Sequence, residues 1–401
     1  MARTIPIFSA PPASRSSQLE FRVSPPLALY VHVPWCVQKC PYCDFNSHEA
    51  NSQIPERQYV DALIADLQAA LPLIWGRPVV SVFFGGGTPS LLSPAAIDEL
   101  ITAFRTLAML APEAEITLEA NPGTVEAEKF AGFRAAGVNR LSLGIQSFND
   151  GHLKALGRIH DADEARRAAQ LAGEHFPAFN LDLMYGLPGQ TLEQALSDVD
   201  TALAFKPAHL SCYQLTLEPN TRFAAFPPEL PEGDTCADMQ DAIETKLAAA
   251  GFSNYETSAF AQPGRQCRHN LNYWYFGDYL GIGAGAHSKL TLHDRVLRQM
   301  RWKHPKAYLE NVASGNPVQE SNEVTAADLP FEFMMNALRL ADGFHPSLFE
   351  ARTARPLALI LPQLKAAAAE GLLEISSEKI APTLKGRRFL NVLLERMLER
   401  E

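Results

Sequence analysis

The feature that most constrains this chain is a rhythm of short apolar runs alternating with amphipathic helical stretches from residue 27 onward. The runs are "LALYVHV" (27–33), "VVSVFF" (79–84), "EITLEA" (115–120), "RLSLGIQ" (140–146), "FNLDLMY" (179–185) and "HLSCYQL" (209–215). Each is nearly uninterrupted, as strands buried on both faces of a parallel sheet are. Between the first two, Val60, Leu63, Ile64, Leu67 and Leu71 fall on one helical stripe. Ser93-Pro94 has the form of an N-cap followed by proline at the first helical position. Asp161 with Glu164 and Thr191 with Gln194 have capping-box spacing, and Gly137 is placed to stop a helix before the fourth run. Six β-α repeats within about 190 residues predict an α/β fold with helices outside a parallel sheet. Eight would close a TIM barrel, so six predict an open, partial (β/α)6 barrel.

The sheet pattern fades after about residue 290, and "LPFEFMMNALRL" (329–340) is helical in period. The last thirty or so residues read as a helix end, a short hairpin and a final helix, a winged-helix-like arrangement. The expected organisation is a disordered Pro/Ser-rich tail over 1–24, a barrel with its extension over 25–320, and a small helical domain over 321–401. A transit peptide is the alternative reading of the tail. A winged helix suggests DNA, but Lys385, Arg387 and Arg388 form the only basic cluster, and such triplets usually make a solvated helix face. A net charge of −10 also argues against non-specific binding to nucleic acid or anionic membranes. No apolar run reaches the roughly 18 residues of a spanning helix.

Catalytic groups in such folds gather where strands end at their C-terminal edge, and this chain's unusual elements all fall there. Cys36, Cys40 and Cys43 follow the first strand, "GGGTP" the second and "EANPG" the third; Gln146 ends the fourth, and Asp182 lies on the fifth. Of six cysteines only these three cluster, a pattern unlike a secreted disulfide framework and suited to metal or catalysis in a reducing cytoplasm. Three thiolates suit zinc completed by His32 or His48, or three irons of a four-iron cluster with one iron left open. Glycines 85–87 let the main chain approach a ligand closely. Glu119 is placed for a ribose diol, Arg158 for a free carboxylate, and Asp182, between Leu181 and Leu183, for the barrel interior.

Cys-x3-Cys-x2-Cys after the first strand, with Tyr42 before the last cysteine and a glycine-rich turn after the second strand, resembles the radical S-adenosylmethionine superfamily. That resemblance implies a [4Fe–4S] cluster on Cys36, Cys40 and Cys43 whose open iron chelates S-adenosylmethionine. Within the superfamily the chain is similar to oxygen-independent coproporphyrinogen III oxidases and their relatives, the HemW-type haem chaperones. The shared residues are Tyr30, Gly86, Gly87, Thr88, Glu119, Gln146, Arg158 and Asp182. The resemblance places all of them, with Tyr42, around S-adenosylmethionine.

Three features separate oxidase from chaperone. The oxidases carry a further cysteine two residues after the last cluster cysteine, where this chain has Phe45; they also have an N-terminal segment that the Pro/Ser-rich tail does not match. "CRHNLNYW" reproduces, with His269, Asn270, Tyr273 and Trp274, the HNxxYW signature of the chaperones. Imidazole is a common axial ligand of haem iron, and aromatic rings pack on the macrocycle. His269 is therefore the leading haem ligand, with Cys267 and His287 as further candidates. The expected function is a haem chaperone that passes haem to acceptors such as respiratory haem enzymes, in the cytoplasm or at the membrane through an acceptor. The alternative is radical decarboxylation of coproporphyrinogen III, which would need an electron donor for the cluster. Analogy also suggests a homodimer.

Overall fold

A computed structural model describes residues 19–50, 54–124 and 127–398. The tail's first 18 residues lie outside these. Residues 19–24, counted with the tail from sequence, pack onto the body: Phe21 is buried, and its N–H donates to His293 O at 2.9 Å.

The six expected strands form as β1 (Leu27–Val33), β2 (Pro78–Gly86), β3 (Met109–Ala120), β4 (Arg140–Gln146), β5 (Phe179–Tyr185) and β6 (His209–Gln214), each parallel to the next. They belong to a twelve-stranded sheet. Beyond β6 lie two antiparallel strands, β7 (Ser253–Glu256) and β8 (Ala259–Ala261), with β8 next to β6. On the other side a seventh parallel strand, β9 (Asp278–Ile282), pairs with β1. Antiparallel β10 (His287–Thr291), β11 (Val296–Arg301) and β12 (Val318–Val324) continue from it. The sheet thus runs to residue 324 and does not fade near 290. β11 and β12 escape the apolar pattern because they are rich in polar side chains; β12 is an exposed edge reading VQESNEV.

Helices α1 (Glu56–Ile74), α2 (Pro94–Leu107), α3 (Ala127–Ala136), α4 (Ala162–His175) and α5 (Leu192–Ala204) cover the outer face. Their ends follow local chemistry. Ser93 caps α2, full capping boxes begin α4 and α5, and Gly137 follows α3 with φ +109°. The outward residues of β1 and β2, such as Leu29, Val31, Val82 and Phe84, join one core with Leu63, Leu67, Ile97 and Phe104 of the helices. The inward residues are of another kind: Tyr30 and His32, Ser81 and Phe83, Thr117 and Glu119, Arg140 and Ser142, Asn180 and Asp182, His209 and Ser211. The barrel therefore has an apolar outer face and a polar, aromatic interior, where the sequence suggested strands greasy on both faces.

α6 (Gly233–Ala249) packs beside α5, while α7 (Arg268–Trp274) lies against β1, β2 and β9. The C-terminal part builds a second core from Phe333, Phe344, Phe349 and Leu393, which also takes in Phe21 and Phe276. A short hairpin, Leu373–Ile375 with Ile380–Pro382, precedes its final helices. No helix among the described residues is long and apolar enough to cross a membrane.

Candidate functional site

Strand ends and glycines position the rim. Gly87 N–H donates to Val33 O at 2.7 Å and Thr88 N–H to Trp35 O at 2.7 Å, which fastens the turn after β2 to the cysteine loop after β1. A Cβ on Gly87 would stand 2.5 Å from Trp35 O and 3.0 Å from Cys36 Sγ, so only glycine admits this approach. Cys36 is buried, Cys40 and Cys43 are partly exposed, and all three are free thiols lining a cavity of about 410 Å³. Burial pushes the Cys36 and Cys43 thiols up; their neighbouring cysteines add to this.

Around them the structure gathers Tyr42, Gly86, Gly87, Thr88, Glu119, Gln146, Arg158 and Asp182 in that one cavity. Arg158 is no surface salt bridge: its guanidinium donates to Asn121 Oδ1 at 2.7 Å and Gly144 O at 2.8 Å, and stands 3.5 Å from Cys40 Sγ. Asn121 donates in turn to Thr88 Oγ1 at 2.9 Å, linking three strand ends. Asp182 accepts from Asn180 at 2.7 Å and Ser142 at 3.2 Å, and burial raises its pKa. Glu119 accepts from Gly86 N–H at 3.3 Å; burial, and then the nearby Asp182, push its pKa up to about 8. Gln146 takes a positive φ of 70° at the end of β4, and Tyr213 donates to its Oε1 at 2.7 Å. Sequence reasoning missed Asn121, Ser142, Gly144 and Tyr213 as lining residues. The inward alternation of β4 and β6 is the signal that exposes Ser142, Gly144 and Tyr213.

Tyr30 stands apart from this group, in an adjoining crevice of about 690 Å³ that shares Cys43, Asp44, Phe45, Gly86 and Glu119 with the first cavity. Its hydroxyl donates to His32 Nδ1 at 3.1 Å, and His32 Nε2 donates to Asn46 O at 2.9 Å.

The HNxxYW residues scatter. His269 is 1% exposed inside the barrel, stacked on Phe83 at 4.9 Å, with Nδ1 sharing a 3.0 Å hydrogen bond with Ser81 Oγ. Its Nε2 is buried without a partner among the described residues, and burial, then Arg140, pull its pKa down to about 3. Tyr273 lines the crevice, Trp274 lies beneath Arg339 at 4.4 Å, and Asn270 lines neither cavity. Cys267 is fully buried, its Sγ 3.4 Å from Glu115 Oε1.

Residues 30–202 match the radical SAM superfamily, and residues 324–389 match the HemN C-terminal domain, whose match begins at the last residue of β12. Over 376 residues the chain is 50% identical to the heme chaperone HemW of Escherichia coli, covering 93% of this chain and 98% of that protein. The chain belongs to the HemW family. It is 49% identical to HemW of Haemophilus influenzae over 383 residues, covering 94% of this chain and 99% of that one. Among solved structures, the coproporphyrinogen III oxidase HemN of Escherichia coli, a radical SAM enzyme, superposes with a TM-score of 0.79 at 27% identity. That match covers 93% of this chain and 90% of HemN, so the HemW-family chain and the oxidase share barrel and C-terminal domain alike.

Proposed function

We propose that this chain is a haem chaperone that carries a [4Fe–4S] cluster and S-adenosylmethionine and passes haem to acceptor proteins such as respiratory haem enzymes. The observation that carries this reading is the set of three free thiols at the rim of a polar barrel, in a chain half identical to a protein named as a heme chaperone. Among the described residues no three His, Cys, Asp or Glu side chains converge as ligands of a single ion would. Zinc needs sulfurs about 4 Å apart, given Zn–S bonds near 2.3 Å, whereas a cluster takes each thiolate on a different iron. Three free thiols on one loop are the donor set that three irons of such a cluster take.

When bound, such a cluster supplies an open iron coordination site and single electrons. This chain's residues supply the rest. Gly86 and Gly87 keep the cysteine loop free of side-chain bulk, and Arg158 offers a guanidinium to a carboxylate beside Cys40. Glu119, Gln146 and Asp182 present oxygens and an amide to a polar ligand, with Thr88 and Tyr42 on the walls. The chain divides into a barrel with its extension and a C-terminal unit; the boundary at 320/321 expected from sequence falls inside β12, so the barrel part runs to residue 324.

The likeness to HemN in fold favours one second reading, oxidative decarboxylation of coproporphyrinogen III. Phe45, in place of the oxidases' further cysteine, speaks for the chaperone. The test is anaerobic reconstitution followed by haem titration and a coproporphyrinogen turnover assay. Iron and labile sulfide in equal amounts, saturable haem binding and no turnover are expected, with iron lost in Cys40→Ser. Turnover without saturable haem binding would instead make the chain an oxidase.

A further inference from the structure

Below the floor of the cluster cavity, Asn180 of β5, His209 of β6 and Tyr255 of β7 are buried inside the barrel and line neither the cavity nor the crevice. Asn180 and His209 are register partners on adjacent parallel strands, one inward-facing layer below Asp182. Polar groups so placed are costly unless hydrogen-bonded, and here each is bonded to the next. Tyr255 Oη stands 2.8 Å from His209 Nε2, His209 Nδ1 2.7 Å from Asn180 Oδ1, and Asn180 Nδ2 2.7 Å from Asp182 Oδ1. The line starts away from the cavity and ends on a carboxylate that lines it.

The direction of the line follows from which groups can donate. The amide oxygen of Asn180 only accepts, so His209 Nδ1 carries the proton between them. Burial, then Arg140, hold the His209 pKa well below that of an ordinary imidazole, so the ring is neutral and Nε2 keeps its lone pair. Burial keeps the Tyr255 phenol protonated, and its oxygen already accepts from Cys267 N–H at 3.3 Å, which leaves its own proton for His209 Nε2. Every donor therefore points toward Asp182. The second Asn180 proton goes to Ser142 Oγ at 2.8 Å, and the Ser142 hydroxyl donates to Asp182 Oδ2 at 3.2 Å. The orientation of one amide thus governs both oxygens of Asp182. With the opposite His209 tautomer the amide would turn over and set an oxygen against the carboxylate. Tyr255 is itself held from outside, where its main-chain O accepts from Ala341 N–H of the C-terminal unit at 3.0 Å.

We propose that Tyr255 and His209 are positioning residues: they fix the Asn180 amide and, through it, hold Asp182 as a hydrogen-bond acceptor for the ligand of the cluster cavity. This rests on the reading above that the cavity takes S-adenosylmethionine, a molecule with hydroxyl and ammonium donors. Burial raises the Asp182 pKa, while its donors Asn180 and Ser142 lower it, so loss of their alignment favours the neutral acid. The titratable groups facing Asp182 are Glu119 of β3, Arg140 of β4, and Cys212 and Tyr213 of β6. Of these, burial holds Cys212 and Tyr213 protonated and Arg140 keeps its charge, whereas Glu119 titrates near pH 8 in every variant below.

The test is equilibrium dialysis of S-adenosylmethionine against the cluster-reconstituted full chain from about pH 6 to about pH 9. It compares the parent, Tyr255→Phe, Asp182→Asn and the double variant. Tyr255→Phe removes one oxygen and keeps the ring, and far-UV circular dichroism checks its fold. Expected is binding about fivefold weaker near pH 7 in Tyr255→Phe, recovering toward the alkaline end as Asp182 ionises. Adding Tyr255→Phe to Asp182→Asn should cost nothing further. Binding like the parent's, an equal loss at every pH, or the same loss in the Asp182→Asn background would overturn the assignment. A second readout needs no ligand. Nitrogen-15 spectra of the cofactor-free chain should show a neutral histidine protonated at Nδ1 whose Nε2 signal moves in Tyr255→Phe. A His209 proton on Nε2 would overturn the relay and leave the cofactor reading standing. No binding by the parent at any pH would defeat the cofactor reading itself, and the positioning role with it.

Discussion

At the scale of single residues, the rim of the cluster cavity is built under constraint. Gly87 has Trp35 O and Cys36 Sγ where a Cβ would go, and Trp35 O is fixed by the Thr88 N–H that helps fasten the two loops. Gly87→Ala must therefore push the cysteine loop outward, at a cost of about 1–3 kcal/mol. The expected outcome is reduced iron incorporation with the barrel still folded, measured as iron per chain against circular dichroism; full iron loading would show that the loop yields freely. Glu119 gives a second prediction. The folded chain holds its carboxyl proton up to about pH 8, while an ordinary glutamate releases it near 4.5. Between those values the folded state binds more protons than the unfolded one, so this group's contribution to stability falls as pH rises. Glu119→Gln should flatten that decline and raise the melting temperature of the cofactor-free chain at pH 8.5 relative to the parent. A parallel pH profile for both proteins would place the burden on another group.

At the scale of elements, α7 shows why part of the site was hidden from the sequence. Its seven residues form too short a helix to announce itself by period, and it is held by a residue far away in the chain. The Glu115 carboxylate of β3 accepts from the N–H groups of Arg268 at 3.1 Å and His269 at 3.0 Å, tying the start of α7 to the sheet. Glu115→Ala removes both acceptors and should destabilise the chain by about 1–3 kcal/mol, read as a lower denaturation midpoint. A midpoint unchanged from the parent would mean that α7 is held by its ring contacts alone. β1, β4 and β5 were legible to the residue because continuous apolar runs and caps are local signals. The pairing of β9 with β1 joins strands some 250 residues apart, and no local pattern encodes it. The cysteines, glycines, Glu119, Arg158 and Asp182 were legible as a rim because parallel topology sends every strand end to one side. His269 was legible only as a motif residue; its burial behind Tyr273 depends on where α7 packs.

At the scale of the whole molecule, the C-terminal part is clamped to the barrel by two arginines, Arg387 and Arg388, that sequence alone makes look like part of a solvated basic face. Arg387 donates to Asn254 Oδ1 at 2.6 Å and Arg388 pairs with Asp241 and Glu244 of α6, while the exposed Lys385 stays within the C-terminal part and donates to Glu370 O at 2.9 Å. Neither arginine is left as a free cation for a phosphate backbone, which accords with the net charge of −10. On the same seam Arg339 lies over Trp274, and Phe276, just past α7, sits in the C-terminal core against Phe333 at 5.8 Å. The segment that runs through the barrel interior therefore ends in the other core, and loosening the seam should be felt at α7. Arg388 makes its pairs at a partly exposed place, so the clamp is worth about 1 kcal/mol in low salt and less where salt screens it. Arg388→Ala should lower the melting temperature by a few degrees at low ionic strength, with the gap to the parent shrinking in about 1 M salt. Hydrogen exchange should rise in 268–276 as well as in 384–395. Faster exchange confined to the C-terminal helices would mean that the two cores open independently and that α7 is held from the barrel side alone.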